Sequence, residues 1–295
     1  MRIFVTGASG FIGGAVALAL IAAGHRVRGL VRSRAKADVV AAHGIEAVVG
    51  SLDDVTVLQA EARAADAVVN AASSDHRGAV EAFIASMSGS GKPFLHSSGS
   101  SIVADLAMGE PSHRIFDEAT PVEPLPERAA RVAIDRLVLA AAGIRSVVLC
   151  NTMIYGNVLG LPTQSVQIPA LVRQAKASGV VRYIGRGLNR WSNVHIADVA
   201  ALYELALAKA PAGTFMYVES GEEAVGEIAK AIAVRLGLGG ASQSWSAEEA
   251  IAVWGRNLAV LSLGSNSRVR GKAAVELGWS PTQRSVTQWI AKEMV

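Results

Sequence analysis

The chain has 295 residues, of which 51% are hydrophobic and 18% charged, enough apolar content for a large core in one or two domains. Its formal net charge is +3, and the only dense basic group is Arg26, Arg28, Arg32, Arg34 and Lys36, expected to form part of an anion-binding site or else a solvated helix start. Neither a nucleic-acid arm nor a polybasic membrane tether fits that pattern.

Residues 2–5 read as a short buried strand. Thr6-Gly7-Ala8-Ser9-Gly10-Phe11-Ile12-Gly13 follows at once, and then an apolar helix over 15–23 that Gly24 ends. This strand, turn and helix carry glycines at G-x-x-G-x-x-G, the order that a dinucleotide pyrophosphate needs. Gly7 allows the tight turn, Gly10 lets backbone approach the phosphates, and Gly13 lets the helix pack on the strand. The N–H groups at the helix start, around Ser9, Phe11 and Ile12, then face the anion.

Strand and helix signals go on alternating. Strands are predicted over 26–31, 46–49, 67–71, 94–97 and 145–150, and helices over 34–43, 55–65, 78–87 and 125–142. Apolar strands alternating with helices imply a parallel sheet covered on both faces, with right-handed crossovers. The fold class is therefore α/β, a Rossmann-type doubly wound sheet. The second half is less regular. Helices are predicted over 164–178, 196–209, 224–236, 247–254, 270–277 and 286–293, and extended chain over 180–184 and 214–218. These pieces cannot extend one sheet regularly, so a small cap is expected. The division places 1–156 and 188–220 in the dinucleotide-binding domain and 157–187 and 221–295 in the substrate-binding cap.

Cys150 is the only cysteine, so no disulfide forms within the chain and a reducing compartment is expected. A strand that starts at residue 2 leaves no room for a signal peptide. The apolar stretch 15–23 is too short for the ~20 residues that span a bilayer. A cytoplasmic protein with no membrane partner is the expectation. The six histidines are scattered, and no metal site is expected.

The residue closing the second strand of such a fold meets the adenosine ribose, and a basic residue there accommodates the extra phosphate of NADP. Here the strand closes Leu30-Val31-Arg32-Ser33-Arg34. Arg32 stands where an acid would select NAD, and Ser33 and Arg34 add donors, so NADP is the expected cofactor. Arg32 lying over the adenine is the other reading. Ser51 and Leu52, and Ala71 and Ala72, end the third and fourth strands on the same side of the sheet. They either border the cofactor or serve tight packing.

With these pieces assembled, the chain resembles the short-chain dehydrogenase/reductase superfamily in its extended, epimerase/dehydratase-like branch. The resemblance runs through the opening loop, Phe94-Leu95-His96-Ser97-Ser98, Asp117-Glu118-Ala119-Thr120-Pro121 and Ile154-Tyr155-Gly156. It continues through Trp191-Ser192-Asn193-Val194-His195-Ile196-Ala197-Asp198 and Leu277-Gly278-Trp279-Ser280-Pro281. It implies a catalytic Ser, a Tyr, and a Lys four residues after the Tyr. In that scheme the Lys lowers the Tyr pKa and holds the nicotinamide ribose, the Tyr moves the substrate proton, and the Ser binds the reacting oxygen.

The chain departs from that set. Four residues after Tyr155, Tyr183, Tyr203 and Tyr217 stand Leu159, Gly187, Leu207 and Gly221, so no Y-x-x-x-K exists. By its flanks, the helix over 125–142 puts Arg131 at the Lys position and Glu127 at the Tyr position, or Arg128 in the neighbouring register. Gly99 falls at the Ser position, with Ser98 and Ser100 beside it. Arg131 can still hold the ribose but cannot shuttle a proton, since guanidinium stays protonated. Glu127 serves as acid or base if burial raises its pKa, and otherwise only favours the helix dipole. Tyr155 is read first as a packing tyrosine; as the one phenol near the nicotinamide end, it is also the candidate for a substitute donor.

The substrate cleft is expected at the carboxyl ends of the strands, lined by Ser98, Ser100, Asn151, Thr152, Tyr155 and Asn157. His96 and His195 are expected to pack. Asn189, Arg190 and Trp191 are placed to gate the cap, and Ser265-Asn266-Ser267-Arg268 to reach the cleft or cap a helix. Three functions follow. The first is an NADP(H)-dependent oxidoreductase on a small carbonyl or alcohol with a non-standard proton donor. The second is a non-catalytic NADP(H) sensor or partner-binding protein. The third is an epimerase or dehydratase on a nucleotide sugar. A small-molecule substrate and a homodimer are the expected partners.

Overall fold

The computed structural model describes residues 1–295. The first half runs β1 (Arg2–Thr6), α1 (Phe11–Ala22), β2 (Arg26–Val31), α2 (Arg34–Ala41), β3 (Glu46–Val49), α3 (Val55–Ala64), β4 (Ala67–Asn70) and α4 (Arg77–Met87). It continues with β5 (Pro93–Gly99), a 3₁₀ turn (Ser100–Val103), α5 (Pro126–Leu139) and β6 (Arg145–Asn151). The second half holds β7 (Met153–Tyr155), α6 (Gln167–Ser178), β8 (Val181–Ile184), β9 (Arg190–His195), α7 (Ile196–Lys209), β10 (Thr214–Val218), β11 (Gly221–Ala224) and α8 (Val225–Arg235). The chain ends with β12 (Ser242–Trp245), α9 (Ala247–Leu258), α10 (Ala273–Glu276) and α11 (Val286–Lys292).

Seven parallel strands form the central sheet in the order β3-β2-β1-β4-β5-β6-β10. The strand order reverses between β1 and β4, and that switch point opens a crevice at the carboxyl ends of the strands. Successive side chains alternate between two cores. Ile3, Val5, Val69, Leu95 and Val147 face α1, α2 and α7 through Val16, Leu20, Val40 and Leu202. Phe4, Val68, Phe94 and Val148 face α3, α4 and α5 through Leu58, Phe83, Ile134 and Val138. The α/β, doubly wound fold read from the sequence is the fold observed.

The second half builds two small sheets, β11-β9-β7 and β12-β8, with α6, α8 and α11 packed around Tyr155, Trp191 and Trp289. Residues 153–155 form β7 and pair in parallel with β9. Strand β9 was not expected because its middle, Ser192 and Asn193, is polar. Both are fully buried, yet their side chains are bonded: Ser192 Oγ donates to the Val269 carbonyl at 3.1 Å, and Asn193 Nδ2 donates to the Glu223 carboxylate. No helix is long and apolar enough to cross a membrane.

The segment expected to gate the cap is instead fixed. Asn189 Nδ2 donates to the Leu263 and Ser265 carbonyls at 2.9 and 2.7 Å, and Trp191 Nε1 donates to the Ser265 carbonyl at 2.9 Å. Ser267 Oγ lies 2.9 Å from both the carbonyl and the hydroxyl of Ser100. Ser265 and Ser267 are thus buried in the seam between the cap and the sheet, whereas Asn266 and Arg268 border a cavity of about 300 Å³ beside Asp105 and Phe116. Arg190 and Arg268 both hold Glu222, at 2.7 and 3.0 Å.

Candidate cofactor and substrate site

The glycine loop is built for close backbone approach. Gly7 has φ +69°, and a Cβ there would lie 2.7 Å from the Ala71 carbonyl oxygen. A Cβ on Gly13 would overlap the Gly7 carbonyl. The Gly10 N–H donates to the Gly7 carbonyl at 2.8 Å, and α1 begins at Phe11 with no side chain capping it. The first-turn N–H groups therefore keep the anion-binding character of a helix start. Thr6 holds the facing strand end: its hydroxyl donates to Asn70 Oδ1 at 2.6 Å and accepts from the Ala71 and Ala72 N–H groups at 3.2 Å.

A groove of about 370 Å³ runs along this loop. It is lined by Gly7, Ser9 and Gly10, by Leu30, Val31, Arg32 and Lys36, by Gly50, Ser51 and Leu52, and by Ala71, Ala72, Ser73 and Thr163. Its charged lining residues are Arg32 and Lys36, and no carboxylate lines it. Phe11, Ile12 and Gly13 stand behind the loop as the first turn of α1. Two expected donors point elsewhere. Ser33 caps α2, its hydroxyl accepting from the Lys36 N–H at 3.4 Å, and Arg34 is exposed beside Asp38 at 3.9 Å. Lys36, one turn into α2, takes the place expected for Arg34. Thr163 comes from the far side of the chain, and its hydroxyl donates to the Ser9 carbonyl at 2.8 Å. A separate cavity of about 320 Å³ lies in the cap between α6 and the C-terminus, away from the glycine loop.

Two residues past Ser73, Asp75 is gripped by Arg131 with two bonds, Nε to Oδ1 at 2.8 Å and Nη2 to Oδ2 at 2.6 Å. The third guanidinium nitrogen, Nη1, donates to Ser101 Oγ at 3.0 Å. Gly99 makes room for this guanidinium, since a Cβ there would sit 3.2 Å from Nη1. Ser101 was not among the expected residues. The 3₁₀ turn rotates it outward and turns Ser100 inward, so Ser100 is buried against Ser267 and does not face the cleft.

Three other candidates have different surroundings. Glu127 is exposed and paired with Arg256 at 3.2 Å; hydrogen bonds and that arginine hold its carboxyl below the usual range, unsuited to a proton donor. Tyr155 is fully buried between His195 and Trp289, at ring distances of 5.3 and 5.6 Å. Burial pushes its phenol up, and its hydroxyl has no partner. Ser98 Oγ donates to Asp135 Oδ2 at 2.7 Å beneath the cleft. Asn151 Nδ2 donates to the Tyr203 hydroxyl at 2.9 Å, Thr152 Oγ1 to the Val218 carbonyl at 2.7 Å, and Asn157 Nδ2 to the Glu293 carbonyl at 2.9 Å. These side chains brace the scaffold.

Comparison with known proteins agrees with this architecture. The family model "NAD dependent epimerase/dehydratase family" matches residues 3–217. An oxidase from Acremonium sp is 32% identical, covering 95% of this chain and 92% of its own. A 4-hydroxy-2-methyl-3-oxo-4-farnesyl-3,4-dihydroquinoline-1-oxide ketoreductase from Stigmatella aurantiaca is 28% identical, covering 75% and 69%. Among solved structures, dTDP-glucose 4,6-dehydratase from Bacillus anthracis in complex with NAD superimposes with a TM-score of 0.76 at 18% identity, over 99% of this chain and 97% of its own. With its glycine loop, switch-point groove and sheet order in place, this chain is a member of the NAD dependent epimerase/dehydratase family.

Proposed function

We propose that the chain is an NADP(H)-dependent oxidoreductase acting on a small carbonyl or alcohol. The observation that carries the cofactor choice is the pairing of Arg32 with Lys36 in a groove lined by no carboxylate. A guanidinium and an ammonium suit a ribose phosphate, whereas a ribose diol calls for an acid. The related ketoreductase and oxidase names support redox chemistry on a carbonyl or alcohol.

When bound, the cofactor supplies or accepts a hydride. The loop at Gly7 and Gly10 and the start of α1 hold the pyrophosphate. Arg131 orients the nicotinamide ribose and stays protonated throughout. Ser101 accepts its hydrogen bond from Arg131, which leaves the serine proton free to be donated to a substrate oxygen. Proton supply then passes through Ser101 and solvent instead of through a phenol.

NADPH absorbance with a panel of ketones and aldehydes tests this reading. Turnover is expected, with Ser101→Ala lowering kcat by about tenfold or more, the range for loss of a positioned proton donor, while cofactor affinity is kept. A second reading, a cofactor-binding protein without catalysis, is favoured by one observation: none of the four tyrosines lines the groove. Tight NADPH binding with no turnover on carbonyls or alcohols would replace the first reading by the second.

A further inference from the structure

Two arginines and one carboxylate meet two residues beyond Ser73 of the groove lining. Arg131 and Arg128 lie three residues apart on α5 and so share a face. Arg131 holds Asp75 with both ends of its fork, at 2.8 and 2.6 Å. Its side chain is 14% exposed, while that of Asp75 is 57% exposed. A shielded guanidinium thus presents its bidentate edge outward, and a solvent-facing loop carboxylate covers it. Arg128 hydrogen-bonds only neutral groups, and of the carboxylates acting on its charge Asp75 comes ahead of Glu127. Its Nη2 donates to Asn257 Oδ1 at 2.5 Å, and its Nε is buried without a partner. The nearby Glu127 is committed to Arg256. Hydrogen bonds from Arg131, and after them the Arg128 charge, hold Asp75 below the usual carboxylate range. Two cations therefore share one anion.

Resting on the oxidoreductase reading, we infer that this cleft takes substrates carrying a carboxylate next to the reacting carbonyl or alcohol, and that Asp75 is its internal stand-in. The guanidinium fork matches a carboxylate in two parallel bonds, which gives orientation as well as attraction. Exchange of Asp75 for a substrate carboxylate keeps Arg131 paired, so a shielded guanidinium is not left bare. The incoming anion also meets the charge of Arg128, whose hydrogen bonds go to neutral groups. Asp75 sits on the loop that continues from Ala71, Ala72 and Ser73, which line the cofactor groove, so its release opens space beside that groove.

Pyruvate, 2-oxobutanoate and benzoylformate, each against its methyl ester, are the probes. Binding is measured by calorimetry on the free protein and on the protein with NADP+. At least one acid is expected to bind about tenfold or more tighter than its ester, the scale of a charge-assisted hydrogen bond. Arg131→Met and Arg128→Gln each remove that preference. Arg131→Lys keeps the charge, loses the fork and lies between. Asp75→Asn tightens acid binding several-fold and leaves the ester unchanged, an effect that a merely structural ion pair would not give. Equal affinities, no acid bound, or an Asp75→Asn protein that binds acid no better overturns the inference. Separate NADP+ titration keeps the two ideas apart. Acid preference without NADP+ binding defeats only the cofactor reading, and NADP+ binding without acid preference defeats only this inference.

Discussion

His96 Nε2 and Asp135 Oδ1 face each other across 3.8 Å in the core beneath the cleft, and neither has a hydrogen-bond partner. The other atom of each is engaged. Asn70 Nδ2 lies 3.1 Å from His96 Nδ1, and Ser98 donates to Asp135 Oδ2 at 2.7 Å. An amide nitrogen only donates, which assigns Nδ1 as acceptor and puts the imidazole proton on Nε2. Burial pushes His96 down to about 4 and Asp135 up to about 7. Between those values the pair is a neutral imidazole beside a neutral acid, and the core beneath the cleft avoids an isolated charge there.

That pair sets a pH signature. From its ordinary value of 6.5 down to about 4, His96 takes a proton in the unfolded chain but not in the folded one, so stability rises with pH in that window. From 3.8 to about 7, Asp135 keeps a proton in the folded chain that the unfolded chain releases, so stability falls with pH. The two slopes cancel between about 4 and 6.5. Asp135→Asn leaves the histidine slope alone, up to about 1.4 kcal/mol per pH unit for one proton. Urea denaturation across this window should show the variant gaining stability with pH relative to the native chain. A difference that stays constant with pH contradicts this account.

Gly13→Ala should damage the cofactor loop from behind. The added methyl meets the Gly7 carbonyl, and backbone must shift to admit it. The expected cost is about 1–3 kcal/mol of stability by overpacking. A loop displaced on that scale should weaken NADPH binding by about tenfold, equivalent to about 1.4 kcal/mol. Urea titration and calorimetry on one preparation measure both.

Tyr155→Phe should leave catalysis within about twofold and stability unchanged or slightly raised, because it removes a buried hydroxyl that bonds to nothing. Steady-state kinetics and thermal melting check this. A large fall in kcat with normal melting would return Tyr155 to the reaction.

Asn189→Ala should loosen the seam between cap and sheet. The side chain is fully buried, and its amide serves two carbonyls. Leaving both unpaired, with a cavity beside them, should cost about 3 kcal/mol. Thermal melting reads the loss.

The sheet was legible in the sequence because its strands are continuous apolar runs. Strands β2, β3 and β10 and helix α7 fall on the residues read from pattern alone. Strand β9 escaped because its middle is buried through hydrogen bonds of polar side chains, and half-buried β11 because Glu222 and Glu223 carry it through polar contacts, neither of which hydrophobic periodicity registers. At the site, spacing singled out the glycine loop and Arg32, which line the groove, and the family resemblance singled out Arg131. The sequence picked out Lys36 only as one of a basic group, of which Arg28 is instead paired with Glu61 and Glu46, and it did not point to Thr163, which arrives from a distant loop. Nor did counting along the serines reveal that the 3₁₀ turn aims Ser101, and not Ser100, at Arg131. The four tyrosines could be counted in the sequence, but that none lines the groove required the structure.

The most direct test of the central claim is the affinity of the purified chain for NADPH against NADH, with Arg32→Asp alongside. The account predicts NADPH tighter by about tenfold or more, the scale set by charge-assisted bonds to the extra phosphate, and a loss of that preference in Arg32→Asp. Equal affinities, or tighter NADH binding by the native chain, would contradict it.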